Sequence, residues 1–159
     1  MTVTIERAGN DEASFVEVYA LTLALHREGG YAPLDNAKAS AAVFAVLDEG
    51  MVWVARSRSG EAIGTLGLVE LPFWYSSETY LQDAWFYVAP AYRRAKVGVA
   101  LLRAARAEAE TRGRIALITV TSPDRRPKAT PATLDSQLAG YVPLGYTLRL
   151  ASQTTSDTP

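Results

Sequence analysis

An apolar run ending at Tyr87-Val88 passes through Ala89-Pro90-Ala91-Tyr92-Arg93-Arg94-Ala95-Lys96 and continues as Val97-Gly98-Val99-Ala100-Leu101-Leu102. A strand therefore feeds through a tight basic turn straight into a helix. Such a junction makes a seat for a diphosphate. Arginines supply charge, Gly98 and the small Ala95 and Ala100 let the backbone come close, and the unpaired amides of the first helical turn point at whatever lies in front of them. A phosphate-bearing cofactor is the ligand this pattern predicts.

The charge distribution supports a local anion site. Residues 1 to 90 carry 5 basic and 12 acidic groups, residues 91 to 114 carry 7 and 2, and the remainder 4 and 3. An acidic body with one cationic spot suits a small anionic ligand better than a long nucleic-acid track. With 159 residues, 48% of them hydrophobic, the chain can bury one sizeable core, so residues 1–151 read as a single domain and the polar 152–159 as a disordered tail. No apolar run approaches the roughly 20 residues that span a bilayer, and the N-terminus lacks a signal-peptide profile, so the expected place is the cytoplasm with no membrane partner. The absence of cysteine excludes a thiolate nucleophile and a cysteine-bound metal. The single histidine, His26, argues against a histidine-rich metal site or a Ser-His-Asp triad.

Periodicity places a strand over Thr2–Glu6 and a helix capped by Asn10 or Asp11, with Phe15, Val18, Tyr19, Leu21 and Leu25 on its apolar stripe. A second helix runs from about Asp35 to Gly50. Met51–Ala55 and Ala62–Glu70 form a hairpin around Ser57-Arg58-Ser59-Gly60, Pro72–Ser77 is an aromatic loop, and a strand from about Leu81 to Val88 feeds the basic turn. The helix Val97–Thr111 follows, then a buried strand Ile115–Thr121, a loop Pro123–Lys128, a short helix Pro131–Ala139 and a last strand Tyr146–Ala151. The order β-α-α-β-β-β-α-β-α-β describes an α/β or α+β domain with one mixed sheet flanked by helices.

Val88-Ala89-Pro90, Tyr92-Arg93, Val97-Gly98 and Leu101-Leu102 fall where the GNAT superfamily of N-acetyltransferases carries Val-x-Pro, Arg-x-x-Gly-x-Gly or Ala, and paired leucines. The chain resembles that family. Tyr141-Val142-Pro143-Leu144-Gly145-Tyr146 is similar to its Tyr-x-x-x-Gly-Phe element, and His26–Tyr31 with Pro33-Leu34-Asp35 looks like the first helix and acceptor loop of small bacteriophage and bacterial members. The resemblance implies a mostly antiparallel sheet, acetyl-coenzyme A as cofactor, and direct acetyl transfer to a primary amine. Lys96 replaces the first glycine of the signature, which leaves two readings. Either the lysine keeps an allowed backbone angle and adds an ammonium beside the phosphates, or the turn is distorted and the cofactor is held weakly.

Under this resemblance the cofactor is held by backbone at Phe86, Tyr87 and Val88 and by the turn residues Arg93, Arg94, Ala95, Lys96, Val97, Gly98, Val99 and Ala100. Tyr141 is the expected acid for the departing thiolate, since a phenol holds its proton at neutral pH. Asp83 is the expected base, with Glu78 behind it. Glu28, Tyr31, Trp74 and Trp85 are candidate acceptor contacts, with His26, Phe73 and Tyr75 near them. Arg125 and Arg126 could steer an acidic acceptor, including an amine on a nucleic acid or modified nucleobase. The aromatic group equally suits core or a homodimer interface, and a non-catalytic coenzyme A-binding or scaffold protein is the rival from outside enzymology.

Overall fold

Two short acidic side chains set where the helices begin. The Asp11 carboxylate accepts the Ser14 amide at 2.9 Å and the Asp35 carboxylate accepts the Lys38 amide at 3.0 Å, each relieving an orphan donor of a first turn. The computed structural model describes residues 3–29, 32–120 and 140–141. Within them the chain runs β1 (Thr4–Arg7), α1 (Glu12–Gly29), α2 (Asn36–Asp48), β2 (Val52–Arg56), β3 (Ala62–Pro72), β4 (Thr79–Val88), a 3-10 turn (Pro90–Tyr92), α3 (Val97–Arg112) and β5 (Ala116–Leu117).

The strands form one sheet in the order β1-β2-β3-β4-β5, antiparallel throughout except for the parallel β4–β5 pair. The expected single mixed, mostly antiparallel sheet flanked by helices is what the chain builds. Alternation along each strand divides the core in two. Trp53, Ala55, Leu66, Leu81 and Val88 face α3, where they meet Leu101, Leu102, Ala105 and Ala109. Val52, Val54 and Trp85 face α1 and α2, where they meet Val18, Val43, Val46 and Leu47. Fully buried leucines such as Leu101 and Leu102 each contribute about 1.5–3 kcal/mol, so α3 is anchored firmly and its first turn is held against the end of β4.

The strand expected over Ile115–Thr121 is shorter and less buried than its apolar sequence suggests. Only Ala116 and Leu117 pair with β4, and Ile115 is 55% exposed. Beyond these pairs the Thr119 amide bonds a side chain of β4, not its backbone. The expected loop Pro123–Lys128, helix Pro131–Ala139, strand Tyr146–Ala151 and tail lie outside the described residues.

Candidate active site

The last bond from β4 to β3 runs from the Ala89 amide to the Ile63 carbonyl at 2.9 Å. Pro90 then turns the chain, and the Tyr92 and Ala95 amides bond back to Ala89 and Tyr92 at 2.9 and 3.0 Å. Lys96 follows at φ 59° and ψ 19°; among the described residues no other non-glycine has positive φ. The lysine occupies the left-handed conformation a glycine would take, an allowed but costly angle for a residue with a side chain, with α3 beginning directly behind it. The first helical bond is Ala100 amide to Lys96 carbonyl at 3.2 Å, and no side chain caps the helix. The amides of Val97, Gly98 and Val99 are thus left facing outward at the positive end of the helix dipole. A left-handed residue after right-handed ones gathers successive amides into an anion-binding concavity. A Cβ on Gly98 would sit 3.4 Å from Phe86 Cζ, so glycine lets this turn lie against β4.

The two arginines of the turn divide their work. Arg94 is exposed. Arg93 points inward: its Nε donates to the Val88 carbonyl at 2.9 Å, its Nη2 bonds the Glu28 carboxylate, and its guanidinium lies 5.8 Å from the Tyr87 ring centre. The Tyr87 hydroxyl donates to the other Glu28 oxygen at 2.7 Å. Burial would raise the pKa of Glu28, but the bonds from Arg93 and Tyr87 outweigh it and hold the carboxyl below its ordinary value. Burial, then the bond to Glu28, pushes the Tyr87 phenol up to about 12. Arg93, expected on the cofactor, is placed as a clamp joining α1, the end of β4 and the turn. No local pattern announces this cluster, whose members are 59 and 65 residues apart.

Beside the turn lies the outer edge of β4. Pairing with β5 covers Leu81 and Gln82 only, while β4 continues to Val88. Since the Ala89 amide faces β3, strand alternation turns the backbone groups of Phe86 and Val88 to the opposite edge. Among the described residues no strand pairs there. An extended amide-bearing ligand arm can therefore bond along β4 while its anionic end meets the amides of α3.

The profile of the Acetyltransferase (GNAT) family matches residues 17–130. The chain belongs to the GNAT family. No curated protein matches it. Among solved structures, AAC(6')-Iy in complex with the bisubstrate analogue CoA-S-monomethyl-acetylneamine is 14% identical, with 96% of this chain and 99% of that one covered at a TM-score of 0.70. A Trypanosoma brucei acetyltransferase is 15% identical over 95% of this chain and 100% of its own, with a TM-score of 0.63. An aminoglycoside acetyltransferase from an uncultured soil metagenomic sample, in complex with sisomicin, is 18% identical over 92% and 97%, with a TM-score of 0.62. These likenesses are of fold.

Within this GNAT acetyltransferase the other candidate residues are dispersed. Tyr141 packs against the α3 side of the core and its hydroxyl donates to the Leu102 carbonyl at 3.2 Å. Burial pushes this phenol up to about 12, with Arg106 opposing and Glu110 adding to the rise. The half-buried Asp83 accepts the Thr119 amide at 2.8 Å; burial raises its carboxyl above the ordinary value and that hydrogen bond works against the rise. Glu78 is bonded by Arg114 at 3.4 Å, at the far end of β4 from the turn.

The expected aromatic pocket is not assembled. Trp85 is 7% exposed, its indole lies over Gly67, and its Nε1 donates to Thr65 Oγ1 at 3.2 Å. It is a core residue because Gly67 opens a slot for it in the sheet. Trp74, 94% exposed, and Tyr75 sit on the β3–β4 connection with Phe73, which stacks on Tyr75 and Tyr80 at 5.3 and 4.6 Å. Trp85 lies six residues along β4 from Thr79, about 20 Å at strand rise, so the two sets cannot line one pocket. His26 Nε2 is 2.8 Å from the Ala32 carbonyl and ties the end of α1 to the α1–α2 connection. Tyr31, Arg125 and Arg126 lie outside the described residues.

Proposed function

We propose that the protein transfers the acetyl group of acetyl-coenzyme A directly to a primary amine of a small, cationic acceptor. The observation that carries this reading is the set of uncapped amides at Val97, Gly98 and Val99, gathered behind left-handed Lys96 and adjoining the outer edge of β4. Those amides fit a diphosphate, and the backbone of Phe86 with the amide of Val88, whose carbonyl is taken by Arg93, fits the amide-bearing arm behind it. The exposed Arg94 and Lys96 add charge where the anion sits. Bound there, acetyl-coenzyme A supplies an activated thioester carbonyl.

The chain's own groups move the protons. A carboxylate of Asp83, raised by burial toward the range in which carboxylates act as bases, takes the proton from the attacking amine. The Tyr141 phenol keeps its proton at neutral pH and, on leaving its bond to the Leu102 carbonyl, gives it to the leaving sulfur. The absence of cysteine favours direct transfer over a thiol-bound acyl enzyme. For the acceptor, support comes from the acidic N-terminal body, with 12 acidic groups against 5 basic ones. It comes also from the complexes of fold neighbours with an acetylneamine-bearing analogue and with sisomicin. Arg125 and Arg126, the residues that point to a nucleic-acid-linked acceptor, lie outside the described residues.

Calorimetric titration with acetyl-coenzyme A and with coenzyme A tests the reading. Micromolar binding is expected, followed by turnover with a panel of polyamines; no binding at millimolar cofactor would overturn it. In the active protein, Tyr141→Phe should cut kcat by about 10²–10⁴ with cofactor affinity unchanged.

A further inference from the structure

In the parallel ladder between β4 and β5, the Leu81 amide bonds the Ile115 carbonyl at 2.9 Å, and Leu81 and Gln82 face Ala116 and Leu117. A parallel ladder repeats every two residues. Its next rung would pair Asp83 with Ile118, and the Thr119 amide would then donate to the main-chain carbonyl of Asp83. Instead that amide donates to Asp83 Oδ1 at 2.8 Å. The side chain has taken the place of its own carbonyl. Oδ1 lies one bond farther from Cα than the main-chain oxygen does and leaves the backbone in a different direction, so this contact is not a ladder rung, and the paired residues stop at Gln82 and Leu117.

A second irregularity falls at the same point on the other edge of β4. Gly67 faces Trp85 and Leu68 faces Asp83, so Ala84 has no partner on β3. This is a β-bulge, which bends the strand and shifts the alternation of all residues after it. The bulge turns the backbone groups of Phe86 and Val88 toward the edge of β4 on which β5 lies.

The geometry points to Asp83 as a positioning residue: its carboxylate clips Thr119 in place of a ladder rung, ends the β4–β5 ladder and holds open the strand edge that receives the cofactor. The inference rests on the proposed cofactor reading for its functional consequence, but not for the clip itself. The demand is for an acceptor oxygen at the Oδ1 position, not for charge. Asparagine meets it and alanine does not.

The experiment measures hydrogen exchange at the Thr119 amide and the affinity for acetyl-coenzyme A in the full chain. Asp83→Asn should keep the Thr119 amide protected and bind within about threefold of the unsubstituted protein, while Asp83→Ala should lose protection and bind about tenfold more weakly or worse. Should Asp83→Ala fail to fold, Asp83→Leu removes the oxygen while keeping the volume. Asp83→Ala binding at full affinity, or Asp83→Asn failing as completely as Asp83→Ala, overturns the clip. Loss of kcat in Asp83→Asn at unchanged affinity supports it and assigns proton removal to the same carboxylate. If the unsubstituted protein binds no cofactor, the functional reading fails, and the exchange contrast at Thr119 alone decides whether the clip exists.

Discussion

Replacing Lys96 by glycine should make the protein more stable and its cofactor affinity lower. At φ 59° and ψ 19° the lysine bears the steric cost of the left-handed region, about 1–2 kcal/mol for an L-residue. Glycine escapes that cost but gains freedom in the unfolded chain, which takes back about 0.5–1 kcal/mol. The net stabilisation is about 0.5–1 kcal/mol, or roughly 1–4 °C in melting temperature for a domain of this size. Loss of the exposed ammonium beside the proposed diphosphate site should weaken binding about two- to fivefold, a difference that shrinks in high salt. Lys96→Ala separates the two effects, because alanine keeps the strain and drops the charge. Its affinity should fall like that of the glycine variant, while its melting temperature stays where it was. Thermal unfolding and calorimetry at two salt concentrations read both quantities. A glycine variant that melts at or below the unsubstituted protein would refute the left-handed turn, and with it the account of how the amides are gathered.

Arg93→Ala should lower the melting temperature by about 3–6 °C, since it removes the bonds to Val88 and Glu28 worth about 1–2 kcal/mol at this half-exposed position. Arg94→Ala should stay within about 1 °C and weaken the cofactor only, and equal melting of the two variants would remove the clamp assigned to Arg93. Because the folded pKa of Glu28 lies below its ordinary 4.5, the clamp's charge contribution is full above that value and lost as pH falls through the folded pKa, so the gap between Arg93→Ala and the parent should narrow in that window. Gly67→Ala places a Cβ 2.6 Å from Trp85 Cζ2 and should cost about 1–3 kcal/mol in denaturant unfolding; unchanged stability would mean the indole is not fixed over Gly67.

What the sequence made legible was local. The start of α1 at Asn10 or Asp11, the start of α2 near Asp35, the β2–β3 hairpin and the strand-turn-helix each depend on neighbours within a few residues, where periodicity and capping rules operate. Sequence left Trp85 open between acceptor pocket and core, and the structure gives core because its place is set by a glycine on the adjacent strand. Glu28, Tyr87 and Arg93 share a site only after α1 has packed across the end of β4. Asp83 is the strongest case, because an aspartate in a strand looks the same whether it waits for a proton or substitutes for a carbonyl. The register of β4 against β5 decides between an ordinary rung and a side-chain contact, and register is a property of two segments at once. Lys96 shows the converse. A glycine in a motif marks a backbone angle, not a side-chain requirement, so a residue that tolerates the angle at a cost preserves the geometry, and here the residue that bears the strain also brings a cation to an anion seat.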